Sequence, residues 1–209
     1  MSTNRFDTAA ADWDKKDQRL ELAKAIAERI ALLPLRKDMH ALEYGCGTGL
    51  VGLALAPRLA SLVAADSSPG MLEALTAKIA EQGITNVFPR HLDLHHDDCT
   101  QDFDLIFSAM TLHHLADVDS ILAKFYQCLK PGGLIALADL DEEDGSFHQD
   151  NPEGVMHHGF SRDKLAGILA GLGFSGIQIS TVHTIRRKNS QGDERPYPVF
   201  LMTAVKDKQ

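Results

Sequence analysis

Leu42-Glu43-Tyr44-Gly45-Cys46-Gly47-Thr48-Gly49-Leu50 is the stretch that decides the fold of this chain. The residues before it, Met39 to Tyr44, can form a short buried strand, and Leu50 to Leu59 after it can form a helix. The three glycines then occupy the strand-to-helix turn, where glycine adopts positive φ and lets a ligand approach the backbone. Such a turn lies at the carboxyl edge of the first strand, beside a helix N-terminus. The pattern predicts a nucleotide-type binding site.

Two glycine patterns overlap in this turn and predict different nucleotides. Gly47-Thr48-Gly49-Leu50-Val51-Gly52 satisfies the dinucleotide fingerprint G-x-G-x-x-G, which alone is weak evidence. The other pattern is Glu43-x-Gly45-x-Gly47-x-Gly49, which begins where the apolar strand ends and is therefore favoured. On these residues the sequence resembles the class I S-adenosylmethionine-dependent methyltransferases, whose first motif has the form acidic-x-G-x-G-x-G.

Two later segments extend the resemblance. Leu129-Lys130-Pro131-Gly132-Gly133 matches the turn that precedes the fifth strand in many class I methyltransferases. Leu112-His113-His114 is similar to a short segment of the quinone-biosynthesis methyltransferases. The resemblance implies a Rossmann-like α/β fold: a doubly wound, mostly parallel seven-stranded sheet with an antiparallel last strand and helices on both faces. Two predicted late strands, Ile177 to Ile185 and Val199 to Val205, suit this arrangement.

The length and composition favour a single domain over residues 1–209. A chain of 209 residues with 44% hydrophobic content can bury one core, and no glycine-, proline- or serine-rich linker divides it. The N-terminal segment 1–33 and the insertion 139–160 lie outside the matching motifs. Loops as long as the insertion are often functional, so we expect both segments to act as lids over cofactor or substrate.

Charge and cysteine content narrow the partners and the compartment. The net charge of −8 disfavours a nucleic-acid substrate, because phosphate backbones are bound by clustered lysine and arginine. Three cysteines without C-x-x-C spacing suit a reducing compartment better than a disulfide framework. Because no apolar run is long enough to span a bilayer or resembles a signal peptide, we expect a cytoplasmic protein. The acidic insertion favours a small neutral or cationic acceptor, and the oligomeric state stays open.

The resemblance implies S-adenosyl-L-methionine as cofactor, with S-adenosyl-L-homocysteine as product. Asp66 follows a short apolar run at the spacing from the turn where a Rossmann-like site holds a ribose diol; alternatively it caps a helix, although Ser68 already supplies a cap. By position, Asp93 would accept from the adenine amino group, with Leu94 and Met71 beside the ring. The cofactor-binding residues expected from the resemblance are Glu43, Gly45, Gly47, Gly49, Asp66, Ser67, Met71, Asp93, Leu94 and Ser108.

His113 and His114 are the candidate catalytic residues. They follow the predicted fourth strand, whose carboxyl end faces the ligand crevice. If the acceptor must lose a proton, a histidine with a pKa near neutrality is a suitable base. Alternatively, one of the two histidines caps the next helix or packs in the core.

Two other functions are open to this sequence. An NAD(P)-dependent oxidoreductase is supported by the fingerprint, by Asp66 and by the Y-x-x-x-K spacing of Tyr126 and Lys130. However, Lys130 precedes Pro131, and a residue before proline is pushed out of the helical conformation. The third possibility is a module that binds S-adenosylmethionine without catalysis.

A metal site is not expected. The chain has ten histidines, but adjacent residues such as His95 and His96 seldom coordinate one ion on a helix or strand. In the resembled family some members bind magnesium through acids after the fourth and fifth strands. Asp139 and Asp141 could serve here, but Ser108 and Ala109 follow the fourth strand.

Overall fold

The computed structural model describes residues 4–99, 101–188 and 194–208 of the chain. Its strands are β1 (His40–Tyr44), β2 (Ser61–Asp66), β3 (Val87–His91), β4 (Phe103–Ala109), β5 (Leu129–Leu140), β6 (Phe174–Lys188) and β7 (Glu194–Lys206). Its α-helices are α1 (Asn4–Ala9), α2 (Asp17–Ile30), α3 (Leu50–Leu55), α4 (Pro69–Gln82), α5 (Val118–Cys128) and α6 (Arg162–Leu172). Short 3-10 turns cover Ala10–Lys15, Ala56–Arg58, Leu112–His114 and Ser146–His148.

The strands form one sheet in the order β3-β2-β1-β4-β5-β7-β6. Neighbours among β1 to β5 run parallel, and β7 runs antiparallel to both β5 and β6. The predicted fold class, a doubly wound and mostly parallel seven-stranded sheet with an antiparallel last strand, is confirmed. The strand order reverses between β1 and β4, and open α/β sheets bind ligands outside the carboxyl ends of the strands at such a point.

Helices cover both faces of the sheet. Successive side chains of the buried strands point to opposite faces, so both faces are apolar and each is covered by helices. Ala41 and Leu105 belong to the hydrophobic cluster under α2, α3 and α4. The next residues along the same strands, Leu42 and Ile106, belong to the cluster under α5 and α6. The two clusters fix the central strands, and with them the loops at their carboxyl ends.

Several helix ends follow the signals in the sequence. The side chains of Ser68 and Asp117 accept backbone hydrogen bonds at the starts of α4 and α5. Gly83 and Gly173 end α4 and α6 in the left-handed conformation, with φ of 63° and 99°. Each end carries a residue type that satisfies free backbone groups or tolerates positive φ.

One strand boundary differs from the sequence prediction. The third strand was expected over Ile84 to Phe88, but β3 spans Val87–His91. The amide of Asn86 donates to the carbonyl oxygens of Ala56 and Leu59 at 2.8 and 3.2 Å. These bonds hold the residues before Val87 in a loop, so the strand starts later.

Two further expectations concern the cysteines and the membrane. The structure joins Cys99 to Cys128, with Cα atoms 6.0 Å apart, and leaves Cys46 free and buried. The expectation of reduced cysteines is therefore wrong for this pair, which has no recognisable spacing in the sequence. Within the described ranges, no helix has the length and apolar character needed to cross a bilayer.

Candidate active site

The glycine turn after β1 lies at the centre of the crevice. Gly45, Gly47 and Gly49 have φ of 73°, 52° and 81°, a conformation that L side chains rarely adopt. The N–H group of Gly45 donates to the carbonyl oxygen of Ala65 in β2 at 2.8 Å. A Cβ atom at Gly45 would overlap the side chain of Thr111, which follows β4. Glycine is therefore required here because the turn is packed between two loops.

Asp66, the last residue of β2, holds the turn through its carboxylate. Oδ2 accepts from the N–H of Gly47 at 2.7 Å, and Oδ1 accepts from the N–H of Ser68 at 2.9 Å. Burial raises the pKa of Asp66 above its ordinary value, although these backbone bonds oppose the shift. A carboxylate has lone pairs left after two such bonds, so ribose hydroxyls can still bind it.

Glu43 is the buried acid of the first motif. Burial raises its pKa to about 8, partly opposed by a backbone hydrogen bond from Gly52. Oε2 is buried and has no hydrogen-bond partner among the described residues. A Cβ atom at Gly52 would overlap this carboxyl group, so the last glycine of the dinucleotide fingerprint makes room for Glu43. Glu43 belongs to the wall of a cavity, and a cationic or hydrogen-bond-donating ligand group bound there could satisfy the orphaned oxygen.

This inner cavity has a volume of about 170 Å³ and is bounded by the glycine turn and the N-terminal segment. Six predicted cofactor-binding residues line it: Glu43, Gly45, Gly47, Asp66, Ser67 and Met71. Four others do not belong to its lining: Gly49, Asp93, Leu94 and Ser108. Leu92 forms the wall after β3, where the prediction has Leu94.

Asp93, Leu94 and Ser108, which do not line the inner cavity, each have another contact. The hydroxyl of Ser108 donates to the carbonyl oxygen of Tyr44 at 2.8 Å. Leu94 is fully buried, and its N–H donates to the hydroxyl of Tyr44 at 3.2 Å. Oδ1 of Asp93 accepts from the N–H of His95 at 3.0 Å. In this arrangement they support the loops behind the cavity, and contact with adenine stays a prediction for Asp93 and Leu94.

A larger outer cavity of about 1150 Å³ adjoins the inner one. Both cavities share part of their walls, including Phe6, Trp13 and His114. Arg5, Arg19 and Arg187 also line the outer cavity, and burial lowers the pKa of each guanidinium group. The wall also includes Asp150, Glu153 and Glu194, so its six cationic residues outnumber three acidic ones.

The acidic run of the insertion does not offset this charge. Asp141 binds Arg162 through two hydrogen bonds of 2.6 and 2.8 Å, and Asp144 pairs with Arg195. Neither aspartate lines the outer cavity. Two of the carboxylates behind the expectation of a neutral or cationic acceptor thus lie away from the cavity, whereas Asp150 and Glu153 of the insertion line it, and the expectation stays a prediction.

The N-terminal segment is fastened to the loops below it. Oδ1 of Asp7 accepts from the hydroxyl of Ser68 and from the N–H of Gly70 at the start of α4. Arg5 donates to the carbonyl oxygens of Asn151 and Glu153 in the insertion at 3.2 and 2.7 Å. The two predicted lid segments therefore touch each other above the cavities.

His113 and His114 form a buried pair in the 3-10 turn after β4. Nδ1 of His113 lies 2.7 Å from Oδ1 of Asp139, and Nδ1 of His114 lies 2.8 Å from the carbonyl oxygen of Gly154. Burial, together with the neighbouring His113, lowers the pKa of His114 to about 4. Burial would raise the pKa of Asp139, but His113 and the hydrogen bonds hold it below its ordinary value.

His148, from the insertion, joins this pair. Its ring centre lies 5.1 Å from that of His113 and 5.7 Å from that of His114. One ring nitrogen of each of the three histidines lies within 4.8 Å of the other two, a grouping suited to a metal ion. Burial, together with the neighbouring histidines, lowers the pKa of His148 to about 3. Sequence spacing did not reveal this cluster, because His148 is distant in the chain.

The other candidate constellations do not form. Tyr126 lies in α5 and Lys130 in β5, where Nζ of Lys130 donates to Asp104 at 2.9 Å. The pair is therefore not on one continuous helix, as a reductase would require. Asp139 is bound to His113 and Asp141 to Arg162, so these acids do not form a joint magnesium site.

This sheet order, with a glycine turn after β1 and a carboxylate after β2, defines a Rossmann-like α/β protein of the class I methyltransferase type. Residues 41–133 match the family model described as a methyltransferase domain. This part of the chain is a methyltransferase domain, and the resemblance seen in the sequence is confirmed. The matched residues include the glycine turn, Asp66 and both candidate catalytic histidines.

Individual relatives share the domain over part of their length. The bifunctional biotin biosynthesis protein BioCD of Bordetella avium is 36% identical over 145 residues, 66% of this chain and 30% of that protein. A ubiquinone biosynthesis O-methyltransferase of a Chelativorans species is 31% identical over 105 residues, 50% of this chain and 42% of that protein. The chain thus spans less than half the length of these two curated relatives.

A solved structure agrees over nearly the whole chain. The DhpI–SAH complex superposes with a TM-score of 0.72 and 23% sequence identity, covering 99% of this chain and 95% of that one. At this identity the likeness concerns the fold. It includes the late antiparallel strand and the helices on both faces, beyond the segment that the family model matches.

Proposed function

We propose that this protein transfers a methyl group from S-adenosyl-L-methionine to a small-molecule acceptor, leaving S-adenosyl-L-homocysteine. The observation that carries the proposal is the inner cavity, whose wall joins the glycine turn to Glu43 and Asp66 and adjoins a larger cavity with histidines. The relatives support it, because one is named as an O-methyltransferase and a similar fold is solved as an SAH complex.

The residues of the inner cavity fit the cofactor. The orphaned oxygen of Glu43 can accept from the amino group of the methionyl part, and the glycine turn admits that part close to the backbone. Asp66 accepts from the ribose hydroxyls, and Met71 and Leu92 supply apolar contacts for the adenine. The cofactor supplies an activated methyl group on a positively charged sulfur. The chain's own contribution is to position the acceptor and to exclude water.

The outer cavity receives the acceptor in this proposal. Arg5, Arg19 and Arg187 line it, so an anionic group such as a carboxylate or phosphate fits its charge. His113 and His114 contact the accepting atom through Nε2, because Nδ1 of each ring is already hydrogen-bonded. The pKa of His114, lowered to about 4, makes this ring a weaker base than the near-neutral histidine expected from the sequence. Its free Nε2 lone pair can still accept a hydrogen bond from the acceptor or hold a metal ion that binds it.

The N-terminal segment and the insertion act as lids within one domain. Phe6 and Trp13 would close the inner cavity over the cofactor, and Arg5 links this lid to the insertion. Closure excludes water from the reacting groups and completes the acceptor surface. A cytoplasmic location belongs to the same proposal and can be checked by cell fractionation.

Calorimetric titration with S-adenosyl-L-homocysteine and with NADH tests the cofactor assignment. We expect saturable one-site binding of the homocysteine product and none of NADH. Saturation by NADH alone would instead support an oxidoreductase. Asp66→Ala is the control variant, because its cofactor affinity should fall while the fold persists.

Transfer is tested with S-adenosylmethionine carrying a deuterated methyl group. The protein is incubated with pools of carboxylated, phosphorylated and neutral small molecules, and mass spectrometry identifies any labelled product. We expect labelling in an anionic pool. Cofactor binding without any labelled product would favour the non-catalytic module.

A further inference from the structure

Three histidine side chains meet between the outer cavity and the end of β4. His113 and His114 come from the 3-10 turn Leu112–His114, and His148 comes from the turn Ser146–His148 in the insertion. One nitrogen from each ring lies within 4.8 Å of the other two. All three residues line the outer cavity, so the cluster is accessible to whatever this cavity admits.

The hydrogen bonds decide which nitrogens are available. Nδ1 of His113 faces a carboxylate oxygen of Asp139 at 2.7 Å, and Nδ1 of His114 faces the carbonyl oxygen of Gly154 at 2.8 Å. Both partners can only accept, so each Nδ1 carries the proton and each neutral ring keeps its lone pair on Nε2. Nε2 of His148 is buried and has no hydrogen-bond partner among the described residues.

Such a group calls for a ligand. Buried polar atoms are normally satisfied, yet Nε2 of His148 has no partner among the described residues. One ring nitrogen of each of the three histidines lies within 4.8 Å of the other two. A metal ion would satisfy all three at once, because neutral imidazole is a common ligand of zinc and of similar transition metals.

The surroundings of the rings match those of known metal ligands. A histidine that binds metal almost always donates its other N–H to a carboxylate or a backbone carbonyl, which fixes the ring orientation. Asp139 and Gly154 fill these two roles for His113 and His114. Asp139 is fully buried and also accepts from the N–H of Leu140 at 2.7 Å, so its own position is fixed.

We propose that Nε2 of His113, His114 and His148 bind one divalent transition-metal ion of the zinc class. Zinc–nitrogen bonds of about 2.0–2.1 Å in tetrahedral geometry separate the ligand nitrogens by roughly 3.4 Å. Nitrogens within 4.8 Å of one another reach this spacing by small rotations of the side chains. Three protein ligands leave a fourth position, as in catalytic zinc sites.

The fourth position opens toward the outer cavity and receives the accepting oxygen or sulfur of the substrate. This part rests on the proposed function, whereas the binding of metal does not. The bound hydroxyl or thiol loses its proton to water, because the ion lowers its pKa. The acceptor atom then forms a bond to the methyl carbon while the carbon–sulfur bond of the donor breaks, and S-adenosyl-L-homocysteine leaves.

The charged residues around the histidine cluster affect which ligand the ion takes at its fourth position. Arg5 and Arg187 line the same cavity, as do the acidic residues Asp150 and Glu153, and Asp139 supplies one buried negative charge. Cations nearby weaken the binding of a second cation unless an anion accompanies it. The site therefore favours a metal ion together with an anionic acceptor, which the arginines also attract.

Metal titration of the purified, chelator-treated protein tests the site directly. Zinc is titrated against a fluorescent chelator, and cobalt(II) is titrated with the visible absorption of tetrahedral cobalt as readout. We expect one ion per chain and a tetrahedral cobalt spectrum. The matched pair of variants is His148→Ala and His158→Ala, because His158 lies in the same insertion with a side chain 59% exposed.

The two histidine variants should differ clearly in metal binding. His148→Ala should lower zinc affinity by more than about tenfold and abolish the cobalt spectrum, whereas His158→Ala should keep both. Asp139→Asn should lower the affinity for zinc by about 10–100-fold while leaving one site per chain. Should His148→Ala fail to fold, as judged by circular dichroism, His148→Gln takes its place. Absence of binding in the wild-type protein, or equal affinity in both histidine variants, would overturn the site.

A separate arm distinguishes this proposal from the proposed function. Titration with S-adenosyl-L-homocysteine is repeated with and without zinc, and methyl transfer is measured in both states once a labelled pool has been found. Metal binding with the stated variant pattern supports the site even if no pool is methylated. Full transfer activity in the metal-free protein would overturn the role of the ion in activating the acceptor.

Discussion

Oγ1 of Thr48, in the glycine turn, donates a hydrogen bond of 2.6 Å to Oδ1 of Asp14 in the N-terminal segment. The ammonium group of Lys78 pairs with the same aspartate and donates to the carbonyl oxygen of Thr48 at 2.8 Å. The three residues thus form a closed set of contacts. They hold the segment that carries Phe6 and Trp13 against the loop below the inner cavity.

Loss of this contact should weaken cofactor binding. Thr48→Val removes the donor and keeps the shape, so we expect the affinity for S-adenosyl-L-homocysteine to fall by about tenfold, the value of a hydrogen bond to a charged group. Asp12→Asn is the control, because Asp12 pairs with Lys15 at the surface. Calorimetry compares the two variants, and equal affinities would contradict the role of the contact in closing the lid.

The ribose assignment of Asp66 gives a sharper test, since the same carboxylate supports the glycine turn. Asp66→Ala should lower the affinity for S-adenosyl-L-homocysteine by more than about tenfold. The wild-type protein should discriminate strongly against a 2′,3′-dideoxy analogue, whereas the variant should bind both ligands alike. If the variant keeps the discrimination, the ribose hydroxyls bind elsewhere and Asp66 serves only the turn.

Glu43 should make the stability of the ligand-free protein depend on pH. Burial raises its pKa from 4.5 to about 8, so the native state holds one more proton than the unfolded chain between these values. The free energy of unfolding from this group is therefore highest at low pH and falls as pH rises through that window. Glu43→Gln lacks this titration, so its free energy of unfolding should rise relative to that of the wild type between about pH 5 and about pH 8.

The expected gain is at least about 1 kcal/mol, or roughly 2–4 °C in Tm. Thermal unfolding of both proteins without ligand, over a series of buffers, measures the difference. A difference that stays constant with pH would show that the pKa of Glu43 is the same in the native and unfolded states.

Gly45 and Gly83 form a matched pair for substitution by alanine. Both have positive φ, 73° and 63°, but a Cβ atom at Gly45 would overlap Thr111, whereas one at Gly83 would meet nothing within 4 Å. Gly83→Ala should cost only the backbone penalty of about 1–2 kcal/mol. Gly45→Ala should cost clearly more and abolish cofactor binding. Denaturant unfolding gives both values, and equal costs would refute the packing argument.

The centre of the fold was predictable because local signals there agree with one another. The glycine turn follows an apolar strand, and Ser68 and Gly83 mark the ends of α4 with residue types suited to those positions. Each signal depends on neighbouring residues only. The same agreement led from the sequence to the methyltransferase family.

Predictions after β3 were less accurate for a physical reason. The strand begins and ends three residues later than expected, so the loop after it begins at Leu92. Leu92 therefore lines the inner cavity, whereas Leu94 is buried behind it. The side chain of Asn86 ties the residues before this strand to Ala56 and Leu59, and these partners are distant in the sequence.

The outer cavity could not be predicted from the sequence. Its arginines come from the N-terminal segment, α2 and β6, and His148 comes from an insertion without periodicity. The acidic run looked like a recognition surface, yet Asp141 and Asp144 pair with arginines outside the cavity. Such groupings depend on tertiary packing, which residue spacing does not encode.

Phe6 and Trp13 belong to the walls of both cavities, and this has a kinetic consequence. With this segment acting as the proposed lid, the acceptor would meet its complete binding surface only after the segment has folded over the methyl donor. Turnover should then follow a compulsory order, in which the donor enters first and its demethylated form departs last. Inhibition by that product is accordingly competitive toward the donor and noncompetitive toward the acceptor.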